Sequence, residues 1–88
     1  MIKHIHFAVD HPTAEGHFPG NPIIPGVTLL DAAMLAMEIQ PRHVQGAKFL
    51  RPVRPGDTVQ LAWEASPNGE IKFACTLAGL PVLTGSVT

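Results

Sequence analysis

The 88 residues are 45% hydrophobic and 15% charged, with a formal net charge of −1. That balance excludes a disordered chain and gives no electrostatic reason to expect a nucleic-acid partner. A chain this short is read as one domain, residues 1–88, near the lower limit for folding alone, and its surplus of apolar side chains points to a subunit interface.

The single cysteine, Cys75, has no internal disulfide partner, which fits a reducing, cytoplasmic setting. Lys3, His4, His6 and Asp10 interrupt residues 1–10, so no signal-peptide core is expected there. The longest apolar run, residues 23–37, contains Pro25, Gly26 and Asp31 and is too short to span a bilayer. No membrane partner is expected.

Residues 2–9 alternate as a strand, with Lys3, Ile5, Phe7 and Val9 on one face and His4 and His6 on the other. The His-x-His pair suits either a solvated edge strand or, with His11 or His17, a metal site, but no carboxylate or cysteine cluster completes a first shell. No metal is therefore assigned. Asp10-His11-Pro12 marks a turn, and Thr13–Glu15 has room for one helical turn. Residues 16–26 crowd His17 and Phe18 among three glycines and three prolines (Pro19, Pro22, Pro25), a rigid loop suited to holding a side chain in place.

From Val27 to about Gln40 the pattern predicts a helix with Thr28 as N-cap, Asp31 at its third position and Pro41 as its stop. It is apolar on all sides, which predicts burial on all sides beneath a wrapping sheet. Residues 41–46 read as a connection, followed by strand residues 47–53, an Arg54-Pro55-Gly56-Asp57 turn and an alternating strand from Thr58 to Ala65. Pro67-Asn68-Gly69 predicts a hairpin turn, and residues 70–77 and 81–88 complete a meander around Ala78-Gly79. The order predicts an α+β fold, one long central helix against a curled antiparallel sheet.

His17 and Asp31 are the candidate chemical groups. An imidazole titrates near neutrality and suits a general base. Asp31 has no charged neighbour within four residues on either side; burial would keep it protonated, whereas a helix N-terminus favours its anion. The N–H groups of Gly26 and Val27 at the helix start suit a developing oxyanion. A base, an acid and an oxyanion hole are the parts needed to remove a proton α to a carbonyl and expel a β-hydroxyl. No cofactor is expected.

Gly16-His17-Phe18-Pro19-Gly20, then Pro22-Ile23-Ile24-Pro25-Gly26-Val27 and Leu30-Asp31-Ala32, resembles the active-site motif of the 3-hydroxyacyl-(acyl carrier protein) dehydratases, hot-dog-fold enzymes of bacterial fatty acid synthesis. Ala47-Lys48-Phe49-Leu50-Arg51-Pro52-Val53-Arg54-Pro55-Gly56-Asp57 resembles the strand and turn after their central helix. The resemblance implies that His17 takes the C2 proton, Asp31 helps the C3 hydroxyl leave, and the Gly26 N–H polarises the thioester carbonyl. It implies a site shared across a dimer interface, with Val27, Phe18 and Leu35 beside the substrate. It also implies that Lys48, Arg51 and Arg54 receive an acidic acyl carrier protein, although charged edge-strand protection explains the same cluster. Coenzyme A is the alternative carrier.

Two features depart from that family. Leu35 stands where a supporting glutamine is usual, and the chain is short. An Asp at position 31 resembles the branch that also isomerises its product. The alternatives are a hot-dog thioesterase with Asp31 activating water, or a non-catalytic acyl-binding subunit. The expected assembly is a homodimer or higher oligomer, or a heterodimer with another hot-dog subunit.

Overall fold

The computed structural model describes residues 1–10 and 22–88. Its elements are β1 (Ile2–His6), α1 (Gly26–Met37), β2 (Val44–Phe49), β3 (Thr58–Ala65), β4 (Ile71–Leu77) and β5 (Leu80–Val87). The strands form one antiparallel sheet in the order β1-β3-β4-β5-β2. Leu29, Ala33 and Met37 of α1 share a core cluster with Val59, Leu61, Phe73, Cys75, Leu83 and Val87 of the sheet. This is the expected α+β architecture, a helix against a curled sheet. The turn at His11-Pro12, the single turn at residues 13–15 and the loop through Asn21 lie outside the described residues.

Strand alternation carries the core. Ile5 pairs with Val59, Leu61 with Cys75, Cys75 with Leu83, and Phe73 with both Trp63 and Gly85, so three cross-strand rows place apolar residues on the helix side of the sheet. Leu61 and Leu83 are fully buried, and each such side chain contributes about 2–3 kcal/mol relative to exposure. A bulge opposite Cys75 and Thr76 lets β5 bury both Val82 and Leu83. A side chain at Gly85 would run into the Gly46 carbonyl and the Phe73 ring.

The turns follow their chemistry. In Arg54–Asp57, Gly56 has φ 94, the Asp57 N–H donates to the Arg54 carbonyl at 3.0 Å, and the Arg54 N–H donates to Asp57 Oδ2 at 2.8 Å. At Pro67–Gly69 the Ser66 N–H donates to the Glu70 carbonyl at 2.7 Å, and the Glu70 N–H donates to Asn68 Oδ1 at 3.1 Å. The β4–β5 connection has two residues with positive φ, Ala78 at 51 and Gly79 at 82. That is a tight hairpin turn whose first position suits Asn better than Ala.

Several boundaries differ from expectation. β1 stops at His6, because the Phe7 N–H donates to the Asp57 carbonyl beyond the ladder at 3.0 Å; Val9 is 79% exposed rather than core-facing. β2 begins three residues before Ala47 and ends at Phe49, its early part disguised by a bulge between Val44 and Gly46. Beyond it, Pro52 has no N–H to continue a ladder. Leu50 instead donates to the Val82 carbonyl at 2.8 Å.

The helix also differs. It begins at Gly26, with Pro25 rather than Thr28 in the N-cap position, and Asp31 lies in its second turn. Proline suits this place because its φ is preset and it leaves no N–H to satisfy. The helix ends at Met37, before Pro41, where Glu38 takes left-handed angles (φ 59, ψ 43) and the N–H groups of Glu38 and Ile39 bond back to Leu35 and Met34. Lys3 Nζ donates to the Ala36 carbonyl at 2.6 Å and lies 3.6 Å from the Glu38 carboxylate, a cation at the negative helix end. Burial on all sides is corrected: Val27 and Leu35 are 71% and 80% exposed.

Two outcomes follow from this packing. Ala78→Asn should stabilise the fold by about 1 kcal/mol, because Asn tolerates left-handed angles that cost Ala about 1–2 kcal/mol; an unchanged or lowered urea midpoint would contradict the turn geometry. Burial pushes the Cys75 thiol up from 9.0 to about 11. The unfolded chain therefore ionises first, and this contribution to stability is complete below about pH 9 and lost as pH rises toward 11. Iodoacetamide near neutral pH should label Cys75 only in unfolded protein, so labelling of native protein at the free-thiol rate would overturn its burial.

Candidate active site

The site begins where two proline-containing segments meet. The Ile24 N–H donates to the Val53 carbonyl at 2.7 Å, which holds Pro22–Pro25 beside Leu50–Val53. Pro25 then turns the chain into α1, and its carbonyl accepts the first helical bond, from the Leu29 N–H, at 3.0 Å. No side chain caps this end, and no described residue accepts a hydrogen bond from the N–H of Gly26, Val27 or Thr28. Among the described residues, three backbone donors at the positive end of a helix dipole are therefore open.

The helix carries two opposed stripes. Leu29, Ala33 and Met37, each four residues apart, are buried on the sheet. Val27, Asp31 and Leu35, offset by two residues and so rotated by about 200°, are exposed. Asp31 is thus a carboxylate set between two uncovered apolar side chains, and it makes no ion pair among the described residues. It lies about 7–8 Å along the axis from Gly26. Its burial, one of the two conditions considered from sequence, does not occur within this chain.

Beside the helix start lies a cavity of about 310 Å³, lined by Ile23, Gly26, Leu29, Phe49, Leu50 and Arg51 among others. Phe49 is 48% exposed and Leu50 is 43% exposed. Arg51 Nη1 donates to the Pro81 carbonyl at 2.9 Å. Lys48 pairs across strands with Thr84 and lines a separate recess on the other face of the sheet, so the basic cluster divides between two surfaces. Arg54 is exposed at the start of its turn. His17 and Phe18 lie outside the described residues.

His4 and His6 are exposed, and His6 Nδ1 shares a 2.8 Å hydrogen bond with Thr58 Oγ1. Among the described residues, no three His, Cys, Asp or Glu side chains gather as metal ligands. Open backbone donors suit a carbonyl that gains negative charge, and a carboxylate in the next turn suits proton exchange with a group two bonds further along the same molecule. Phe49 was not singled out by the sequence, since its contact with Gly26 joins positions 23 residues apart by numbering and leaves no local signal. Among the described residues, no helix is long and apolar enough to cross a membrane.

Comparison with known proteins gives a consistent picture. The ApeI-like family, described as ApeI dehydratase, matches residues 1–85. The chain is 43% identical over 68 residues to a 3-hydroxyacyl-(acyl-carrier-protein) dehydratase FabZ from Chloroflexus aggregans, covering 61% of this chain and 46% of the relative. It is 40% identical over 77 residues to the FabZ of Thermus thermophilus, covering 72% and 53%. The chain thus spans about half the length of the curated relatives it matches. Among solved structures, the dehydratase heterocomplex ApeI:P from Xenorhabdus doucetiae superposes with a TM-score of 0.85 at 21% identity, over 99% of this chain and 83% of that one. That likeness establishes the hot-dog fold, and the match along nearly the whole sequence establishes the kinship: this chain belongs to the ApeI-like dehydratase family.

Proposed function

We propose that this chain is a dehydratase subunit that removes water from a 3-hydroxyacyl thioester and leaves the trans-2-enoyl thioester. The observation that carries the reading is Asp31, exposed between Val27 and Leu35 one turn beyond an uncapped helix start, in a member of a dehydratase family. His17 withdraws the C2 proton, and the Gly26 N–H, with Val27 beside it, receives the charge that develops on the thioester carbonyl. The C2 electrons form the double bond as the C3–O bond breaks. Asp31 protonates the departing hydroxyl, which leaves as water. Phe18 lies beside His17 in sequence and borders the substrate in this reading.

The exposed stripe supports a site completed by a second subunit. Leaving a leucine such as Leu35 in water forfeits about 2 kcal/mol, which a covering surface recovers. In the proposed assembly His17 and Asp31 meet across that surface. The partner is a second copy of this chain in the simplest case. A non-identical hot-dog subunit is the second reading, favoured by Leu35 in place of a supporting amide and by the heterocomplex that the solved relative forms. The proposed substrate carrier is acyl carrier protein, in the cytoplasm, received by Arg51 and Arg54, with Lys48 on the other face of the sheet left out of that surface; coenzyme A is the alternative.

His17→Ala and Asp31→Ala should each lower hydration of an enoyl thioester by at least about 10²-fold without changing the circular dichroism spectrum. Unchanged rates in both would end the dehydratase reading, and release of free thiol would favour the thioesterase. Arg51→Glu combined with Arg54→Glu should raise KM about 3–10-fold for a carrier-protein substrate and leave KM for a short N-acetylcysteamine thioester unchanged, whereas Lys48→Glu should change neither. Equal effects on both substrates would remove the docking role.

A further inference from the structure

Gly26 has an ordinary backbone conformation, so its lack of a side chain answers to space rather than to angle. A Cβ there would lie 3.0 Å from Cε1, 3.2 Å from Cδ1 and 3.2 Å from Cζ of Phe49. Three atoms of one ring at that range mean that the ring rests against the Gly26 backbone. Phe49 and Gly26 both line the 310 Å³ cavity, and Phe49 remains 48% exposed. Phe49 is the last residue of β2, where it pairs with Leu83. The helix start is therefore held at two successive points, by the hydrogen bond from Ile24 to Val53 and by the Phe49 ring on Gly26.

We infer that Phe49 is a positioning residue that sets the Gly26 N–H against the thioester carbonyl. This rests on the carbonyl-binding role proposed above for Gly26. Oxyanion donors act over a narrow range of distance, about 2.7–3.1 Å, and a displacement of about 1 Å in a reacting group can cost about 10²-fold in rate. With the ring removed, the first turn keeps, among the described residues, the Ile24 tether and the packing of Leu29. Phe49 touches no reacting atom in this scheme and acts only through Gly26.

The test compares the unmodified protein with Phe49→Leu, Phe49→Ala, Gly26→Ala and the Gly26→Ala/Phe49→Ala pair, each in its assembled form. Phe49→Ala should lower kcat for enoyl thioester hydration about 10–100-fold with KM changed less than about 3-fold. Phe49→Leu should recover part of the loss. Because both residues act on one amide, the double variant should lose no more than Gly26→Ala alone. Multiplicative losses, or a change confined to KM, would overturn the inference in favour of general interface packing.

A second measurement follows the Gly26 amide ¹H–¹⁵N resonance on saturation with an unreactive crotonyl-pantetheine amide. The shift should be present in the unmodified protein and reduced in Phe49→Ala; an equal shift in both, or none in the unmodified protein, overturns the inference. An unmodified protein that shows the shift without hydrating enoyl thioesters would refute the dehydratase reading and leave the Phe49 role supported.

Discussion

The hydrogen bond from the Ile24 N–H to the Val53 carbonyl joins two segments that lie outside the regular ladder, and the site depends on it. Pro22 and Pro25 on one side and Pro52 on the other leave few backbone donors here, so this one bond sets the approach of the chain to the helix. Pro25 then presents its carbonyl to Leu29, which starts the helix at a defined point beside Val53. A different start by even one residue would rotate α1 by about 100° and exchange the covered and uncovered faces. Helix start and site geometry are therefore one constraint.

That constraint divides the helix by function. Leu29, Ala33 and Met37 seal the core against Leu61, Cys75 and Leu83. Val27, Asp31 and Leu35 face away, so the carboxylate is carried by a rigid element without being buried in this chain. The acid role proposed for Asp31 requires it to meet substrate, and a group on the free side of a packed helix can do so while its backbone stays in place. The uncapped first turn fits the same logic. A Ser or Asp cap would satisfy one of the N–H groups that the proposed reaction assigns to the thioester carbonyl.

Much of this was legible in the residues. The alternation Val59, Leu61, Trp63 marks β3 with its observed boundaries, and Arg54-Pro55-Gly56-Asp57 and Pro67-Asn68-Gly69 mark their turns because proline and glycine restrict local angles directly. The helix limits were less legible. Thr28 is a plausible cap by type, yet Pro25 begins the helix through a carbonyl that every residue possesses. Glu38 ends it in left-handed angles usually left to glycine, with Lys3 from β1 beside it. Lys3 is 35 residues from Glu38 by numbering, so this end of the helix leaves no local signal. β2 was hidden for a similar reason, since Gly46 within a bulge resembles a loop until β5 lies alongside.

The sequence by itself determined the fold class, the dehydratase kinship and the candidate residues, because periodicity, turn chemistry and motif spacing are local properties of a chain. Tertiary structure decided which side of the helix meets the sheet, and so that Asp31 stands exposed between Val27 and Leu35. It also placed the Phe49 ring on Gly26 and separated Lys48 from Arg51 across the sheet. A helix apolar all round offers no periodic preference for one face. The choice falls to the bond at Val53 and the shape of the sheet, which exist only after the chain has folded.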